Sequence, residues 1–340
     1  MIDLIHSETI VEPGLYRMSE ASYHADPAPV ASLSRSIALK LIDESPRHAF
    51  TAHPRLNPQE PEEKANSNIR EIGSAAHALL LNQPTEIRVI DAKDYKGGKA
   101  QGERKAAQAD GAIPLLVADH KTALAMVAKA RALFIDSEHP ALRGLADPAG
   151  TSSNLLNEVT AAWIDPCGDH WARARIDRLD VALDRLTILD YKTTGMQVSP
   201  QAVSRTLYNN TYHFQDAFYR RGIRRLFPQI DRHEMKLDFL FIMQEQEAPH
   251  EVSVVRVDNG GRLIGEKMVS NAFLLWRKCM AENRWPGYPT EIQTAEMPAY
   301  IDTSWSAREI EDPRLQGLGL DPFPFFESKP YRSTPIAGPC

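Results

Sequence analysis

Cysteine is scarce in this chain: Cys167, Cys279 and Cys340 are the only three in 340 residues, far apart and without a C-x-x-C pair. Such usage excludes a disulfide framework and a cysteine-held zinc or iron–sulfur centre. Long apolar runs are missing too, and none approaches the roughly eighteen residues that would span a bilayer. The opening MIDLIHSETIVEPG lacks the basic-then-apolar pattern of a secretory signal, so a reducing cytoplasm is the expected compartment. Positive charge is not in excess: the net charge is −6 and the pI near 6.0, which argues against a general nucleic-acid coat. Any contact with DNA must then come from a local basic surface. What remains is ordinary globular composition, 43% hydrophobic and 25% charged, in a length that builds one elaborated domain or two.

The informative stretch is LTILDYKTT, residues 186–194. Leu186, Ile188 and Leu189 mark a short strand, and residues two apart on a strand share a face, so Asp190 and Lys192 project side by side. Upstream, ARARIDRLDV puts Asp177 on another strand, with Asp184 and Arg185 suited to the turn between them. NEVTAAWID adds a third strand carrying Glu158, joined through Pro166-Cys167-Gly168-Asp169. Three carboxylates brought close together repel one another unless a cation neutralises them, and a divalent metal would do so. Asp-x-Lys by itself is also common on solvated strand faces.

Around this centre the chain reads as helices and connections. Ser34 caps a helix over SRSIALKLIDE that Ser45-Pro46 ends, and residues 53–67 form a polar linker. IREIGSAAHALLL is a small-residue helix with Gly73 and His77 one turn apart; a lone histidine on such a helix is ordinarily a core residue. Residues 91–110 read as a flexible basic loop containing Arg104 and Lys105, and a helix follows over 117–134, then a loop over 138–150. Ser199-Pro200 opens a further helix, and the next, from Tyr212 to about Phe227, sets Gln215 and Tyr219 on one face. Arg220, Arg221 and Arg224 near its end suit the helix dipole or grip phosphates. Two strands, HEMKLDFLFIMQE and HEVSVVRV, precede a helix over 261–283; residues 14–31 read as irregular and 284–340 as an extended tail.

Five pieces resemble, in order, the RecE-type (exonuclease VIII) exonucleases of the RecB branch of the PD-(D/E)XK nuclease superfamily. They are the Ser-Pro helix, Gly73-x-x-x-His77, Glu158, Asp177…Asp190-x-Lys192 and Gln215-x-x-x-Tyr219, spread over residues 14–283. Ile176 stands where a proline often precedes the first acid. The resemblance implies an α/β fold: a restriction-endonuclease-like core with a central mixed sheet flanked by helices, an N-terminal helical part and an irregular C-terminal extension. The corresponding divisions are 1–150, 151–283 and 284–340.

It further implies Mg²⁺, with Mn²⁺ able to substitute, held by His77, Asp177, Asp190 and the Tyr191 carbonyl. Lys192 would act on the attacking water, Glu158 beside the metal or on a second ion, and Gln215 and Tyr219 would orient the site. Arg104, Lys105, Arg220, Arg221 and Arg224 are the expected DNA contacts. The activity implied is 5′-to-3′ digestion of linear double-stranded DNA by a ring-shaped homotetramer, supplying 3′ single strands to a RecT-like annealing protein in recombination, in a phage or prophage setting. The alternatives are a RecB-like nuclease of other polarity or endonucleolytic role and an inactive DNA-binding module of this fold.

Overall fold

Local sequence sets the elements of this chain, which a computed structural model describes over residues 3–58, 68–146, 155–167 and 169–312. The N-terminal part begins with strands β1 (Leu4–His6) and β2 (Gly14–Arg17), helix α1 (Glu20–His24) and the two-residue strand β3 (Leu33–Ser34). Helices α2 (Arg35–Asp43), α3 (Pro46–Ala52) and α4 (Asn68–Leu80) follow, then β4 (Ile87–Ile90), α5 (Gly98–Ala109), β5 (Ile113–Leu116), α6 (Val117–Phe134) and α7 (Pro140–Ala146). Next come the three long strands β6 (Leu155–Asp165), β7 (His170–Val181) and β8 (Arg185–Thr194). The remainder is α8 (Pro200–Asn209), α9 (Tyr212–Leu226), β9 (Lys236–Glu245), β10 (Val252–Val255), α10 (Asn259–Glu282) and α11 (Ala299–Glu311).

The expected α/β architecture with a central mixed sheet is present. Its strand order is β1-β2-β6-β7-β8-β9-β10, with β3 added beside β7, while β4 and β5 form a separate parallel pair. The N-terminal part is thus not helical alone: β2 pairs with β6 and β3 with β7, strands too short to show any period in sequence. Ser45 does not merely stop α2; its side chain accepts from the His48 N–H, and with Pro46 at the first helical position it starts α3.

The 91–110 segment expected to be a loop contains α5. Lys, Gln, Glu, Arg and Ala are good helix formers, and Ala100 and Ala107, two turns apart, are buried. The loop over 138–150 likewise contains α7, whose Ala141, Leu142 and Leu145 are buried on one face. Part of the 53–67 linker, part of that loop and residues 313–340 of the tail lie outside the described residues, whereas 299–311 is helix rather than extended chain.

Alternation along β8 divides the core. Leu186 and Ile188 face the layer of α2, α9 and α10, where Phe214, Phe218, Phe273 and Trp276 pack. Leu189 and Tyr191 face the layer of α4, α6 and α7, with Ala75, Ala76, Met126 and Phe134. The chain divides into two compact units, the first ending at Pro286 and the second beginning at Gly287. All strands and α1 through α10 belong to the first.

Candidate active site

The site is made by a defect in the sheet. β7 and β8 pair from Val181↔Leu186 up to Arg178↔Leu189, and no further. Beyond that point β7 is joined on the same side by β3 instead, at Ala172 and Arg173, so β7 and β8 part at Asp177 and Asp190. On the other flank, β6 pairs Asn157↔Arg178 and Val159↔Ile176, leaving Glu158 opposite Asp177. The two registers therefore set Glu158, Asp177 and Asp190 in one row across three strands.

The row does not point one way, as three acids on regular strands would. Leu156 and Val159, three apart, both enter the same core, as do Ile176 and Leu179. A regular strand would send such residues to opposite faces. The alternation slips at Glu158, whose φ of 52° is left-handed. Such a conformation costs about 1–3 kcal/mol in a non-glycine residue and is held only where the surroundings impose it. By this slip Glu158 and Asp177 reach His77, which α4 brings from the layer opposite α9.

His77 Nε2 lies 3.1 Å from Asp177 Oδ2, and Nδ1 3.8 Å from Glu158 Oε1. The Tyr191 N–H, which has no partner in the parted β7–β8 ladder, donates to Asp177 Oδ2 at 3.0 Å. Glu158 is gripped by Arg175 Nε at 2.7 Å. On the α9 side, Lys192 Nζ sits 2.7 Å from Asp190 Oδ1, and Gln215 donates to Oδ2 at 2.5 Å. Tyr219, one turn beyond Gln215, is buried and stacks on Phe239. Tyr212 closes the lysine side, its ring 5.4 Å from Nζ.

These contacts set the charges. Burial would push the His77 imidazole down, but Asp177, Glu158 and Asp190 outweigh it and hold it above its ordinary value. Burial would raise the Asp177 carboxyl, yet His77, Lys192 and the Tyr191 N–H bring it to about 2. Glu158 is raised, by burial first and then by Asp177. Burial also raises Asp190 against the pull of Lys192. The Lys192 ammonium, which burial would depress, is held high by Asp190 and Asp177.

Among the described residues, His77, Glu158 and Asp177 form a group whose donor atoms lie within 4.8 Å of one another. An imidazole with two carboxylates fits a hard or borderline divalent ion such as Mg²⁺ or Mn²⁺. Glu158 therefore stands among the potential ligands, while Asp190 lies outside this group with Lys192 and Gln215 on its two oxygens.

The arginines expected to touch DNA have partners within the chain. Arg104 pairs with Glu71 and lies over Tyr95, Arg220 bonds Asp216 and the Leu237 carbonyl, Arg221 forks onto Asp165, and Arg224 meets Asp231. Lys105 is exposed on α5, with Lys93, Lys96 and Lys99 exposed nearby in sequence. Gln83 and Arg175, which hold Glu158, escaped sequence reading. Arg175 was in view two residues before Asp177, but nothing in the pattern linked Gln83 to β6.

Acids from three strands and a lysine, meeting a helix histidine where a mixed sheet parts, define an α/β protein with a site suited to a divalent cation. The chain belongs to the PD-(D/E)XK nuclease superfamily, whose family model matches residues 34–283. Among solved structures, one from Eubacterium rectale described as a "putative exonuclease" is 11% identical, covering 81% of this chain and 93% of its own, with a TM-score of 0.46. That likeness is too distant to bear on substrate or polarity. Comparison with curated proteins finds no match. No helix among the described residues is long and apolar enough to cross a membrane.

Proposed function

We propose that this chain is a divalent-metal-dependent exodeoxyribonuclease that degrades linear duplex DNA from its ends, 5′ to 3′, leaving 3′ single strands for an annealing protein. The observation that carries the hydrolytic reading is the row Glu158, Asp177 and Asp190 at the strand parting, with Lys192 Nζ 2.7 Å from Asp190 and His77 3.1 Å from Asp177. His77, Asp177 and Glu158, joined by Asp190 and the Tyr191 carbonyl, would hold the ion. Bound there, it would supply Lewis-acid polarisation of a phosphoryl oxygen.

The protein groups do the rest. Asp190 fixes the Lys192 ammonium, which orients the attacking water and steadies charge developing on the phosphate. Gln215 holds Asp190 in turn, and the buried Tyr219 braces the same helix face. Lys93, Lys96 and Lys105 offer the phosphate-contacting surface, with salt-dependent affinity. End-directed action, polarity, the ring tetramer and the annealing partner rest on the RecE-type resemblance of the five sequence pieces.

The test is digestion of end-labelled linear duplexes bearing 5′-phosphate, 5′-hydroxyl or blocked ends, beside covalently closed circles, in Mg²⁺ and in EDTA. Wild-type protein should shorten open-ended linear DNA from the 5′ end in Mg²⁺ only, and Lys192→Ala should lose the activity. Cutting of closed circles would replace the exonuclease reading with an endonuclease one. No cleavage of any DNA in Mg²⁺ or Mn²⁺ would leave a binding module.

A further inference from the structure

The end of α4 is built to aim one side chain back into the site. Asn82 adopts a left-handed φ of 50°, and the Gln83 N–H returns to the Ala78 carbonyl at 2.8 Å, the arrangement that closes a helix while turning the chain sharply. Two contacts lock this turn: Arg131 donates to the Leu79 carbonyl and to Asn82 Oδ1, and Asn157 Nδ2 donates to the Leu81 carbonyl at 2.7 Å. Asn157 immediately precedes Glu158, so the helix end is tied to β6 beside the strained acid. Gln83, six residues after His77, then lies between two of the three grouped donors. Its Nε2 is 2.5 Å from Glu158 Oε1 and 3.1 Å from His77 Nδ1.

The chemistry of the partners settles the amide's orientation. An ionised carboxylate only accepts, so the atom facing Glu158 is the amide nitrogen. The same NH₂ group lies 3.1 Å from His77 Nδ1, which accepts from it when the neutral ring carries its hydrogen on Nε2 and donates that to Asp177 Oδ2. An ion that takes the Nε2 lone pair beside Asp177 leaves the ring hydrogen on Nδ1, so the Gln83 contact that serves the metal-bound site is the one to Glu158. One amide therefore fixes the Glu158 carboxylate and spaces it from His77.

We propose that Gln83 is a positioning residue of the metal centre, holding the Glu158 carboxylate in place beside His77 and Asp177. The inference rests on the metal-site reading given above, but it assigns a role to a residue outside the acid–lysine motif. Partners of this kind, which orient ligands without touching the ion, govern metal affinity: their loss costs about 10–100-fold. Gln83 is only half-buried, so the side chain can be changed without opening the core.

The experiment measures Mn²⁺ binding by electron paramagnetic resonance, in the absence of DNA, for wild type, Gln83→Met, His77→Ala and Glu158→Gln, and for Gln83→Met combined with Glu158→Gln. Gln83→Met keeps the volume and removes the donor. It should weaken Mn²⁺ by about tenfold or more, and raise the half-saturating metal concentration for DNA cleavage by a similar factor. The rate at saturating metal should recover, as a merely structural loss would not allow. In the Glu158→Gln background the effect of Gln83→Met should shrink, because the two act through one contact. Gln83→Asn, a methylene shorter, serves as a second variant and should weaken binding in the same direction. Unchanged Mn²⁺ affinity in both folded Gln83 variants, with His77→Ala still impaired, overturns this proposal alone. Mn²⁺ binding that is indifferent to His77→Ala overturns the metal centre itself.

Discussion

At the scale of single residues, the site is an exercise in placing more negative charge than the sheet tolerates. Glu158, Asp177 and Asp190 occupy one row, and the charges that offset them are Lys192, Arg175 and His77. Asp190→Asn keeps an acceptor for Gln215 but removes the partner that most strongly holds up the Lys192 ammonium. DNA cleavage should fall by about 10²–10⁴-fold, the range of a lost acid–base or orienting group, while the far-ultraviolet circular dichroism spectrum stays the same. Full activity in that variant would remove Asp190 from the mechanism.

Titration gives a second residue-scale expectation. His77 is held above its ordinary 6.5, so its contribution to stability is complete below that value and drains away as pH rises through the folded-state value. Asp177 has the opposite sign: held at about 2 against an ordinary 3.8, it stabilises above 3.8 and loses that contribution as pH falls toward 2. Denaturation in EDTA from pH 3 to 9 should therefore show the His77 part of the stability declining above about pH 6.5, and His77→Ala should flatten that decline. An upward slope there would contradict the arrangement.

At the scale of elements, helix placement depends on close approaches that only glycine permits. A Cβ on Gly73 would meet Thr193 Oγ1 at 2.5 Å and Gln246 Nε2 at 3.1 Å, so α4 lies directly on the end of β8. Thr193 is stiff about χ1, so relief would come from lifting the helix, and His77 lies one turn on. Gly73→Ala should reduce cleavage by about 10²-fold, the effect of an ångström's displacement at a reacting centre, with a smaller loss of stability. Gly265 reports packing instead: a Cβ there would run into the His213 carbonyl oxygen, where α10 crosses α9. Gly265→Ala should cost about 1–3 kcal/mol in urea denaturation, the usual range for overpacking, and leave the metal dependence of cleavage unaltered.

At the scale of the whole molecule, the sheet and every site residue lie in the unit that ends at Pro286. In the second unit, α11 has no buried residue and exposes Tyr300, Ile301, Trp305 and Ile310. A chain ending at Pro286 keeps every residue of the site and should retain metal-dependent cleavage. Loss of cleavage in that folded chain would place a residue of the machinery beyond Pro286. Mn²⁺ should raise the stability of either form by about 2.7 kcal/mol at a hundred times its dissociation constant, as for any ligand confined to the folded state.

Much of this protein follows from its sequence alone. Ser34 and Ser199 begin their helices where cap chemistry requires, α6 spans the expected 117–134, and the β7–β8 hairpin turns at Asp184. Asp177, Asp190 and Lys192 were visible because strand alternation and a two-residue spacing are local properties. Elements of two to seven residues, such as β3, α3 and α7, were hidden because so short a segment has no period to detect. Tertiary structure alone decided where β7 and β8 part, because β3 competes for the edge of β7 from more than a hundred residues away in sequence. It also decided that Glu158 turns left-handed to meet His77, and that Gln83 lies between them, since those positions are set by packing of α4 on the sheet and not by any neighbour in the chain.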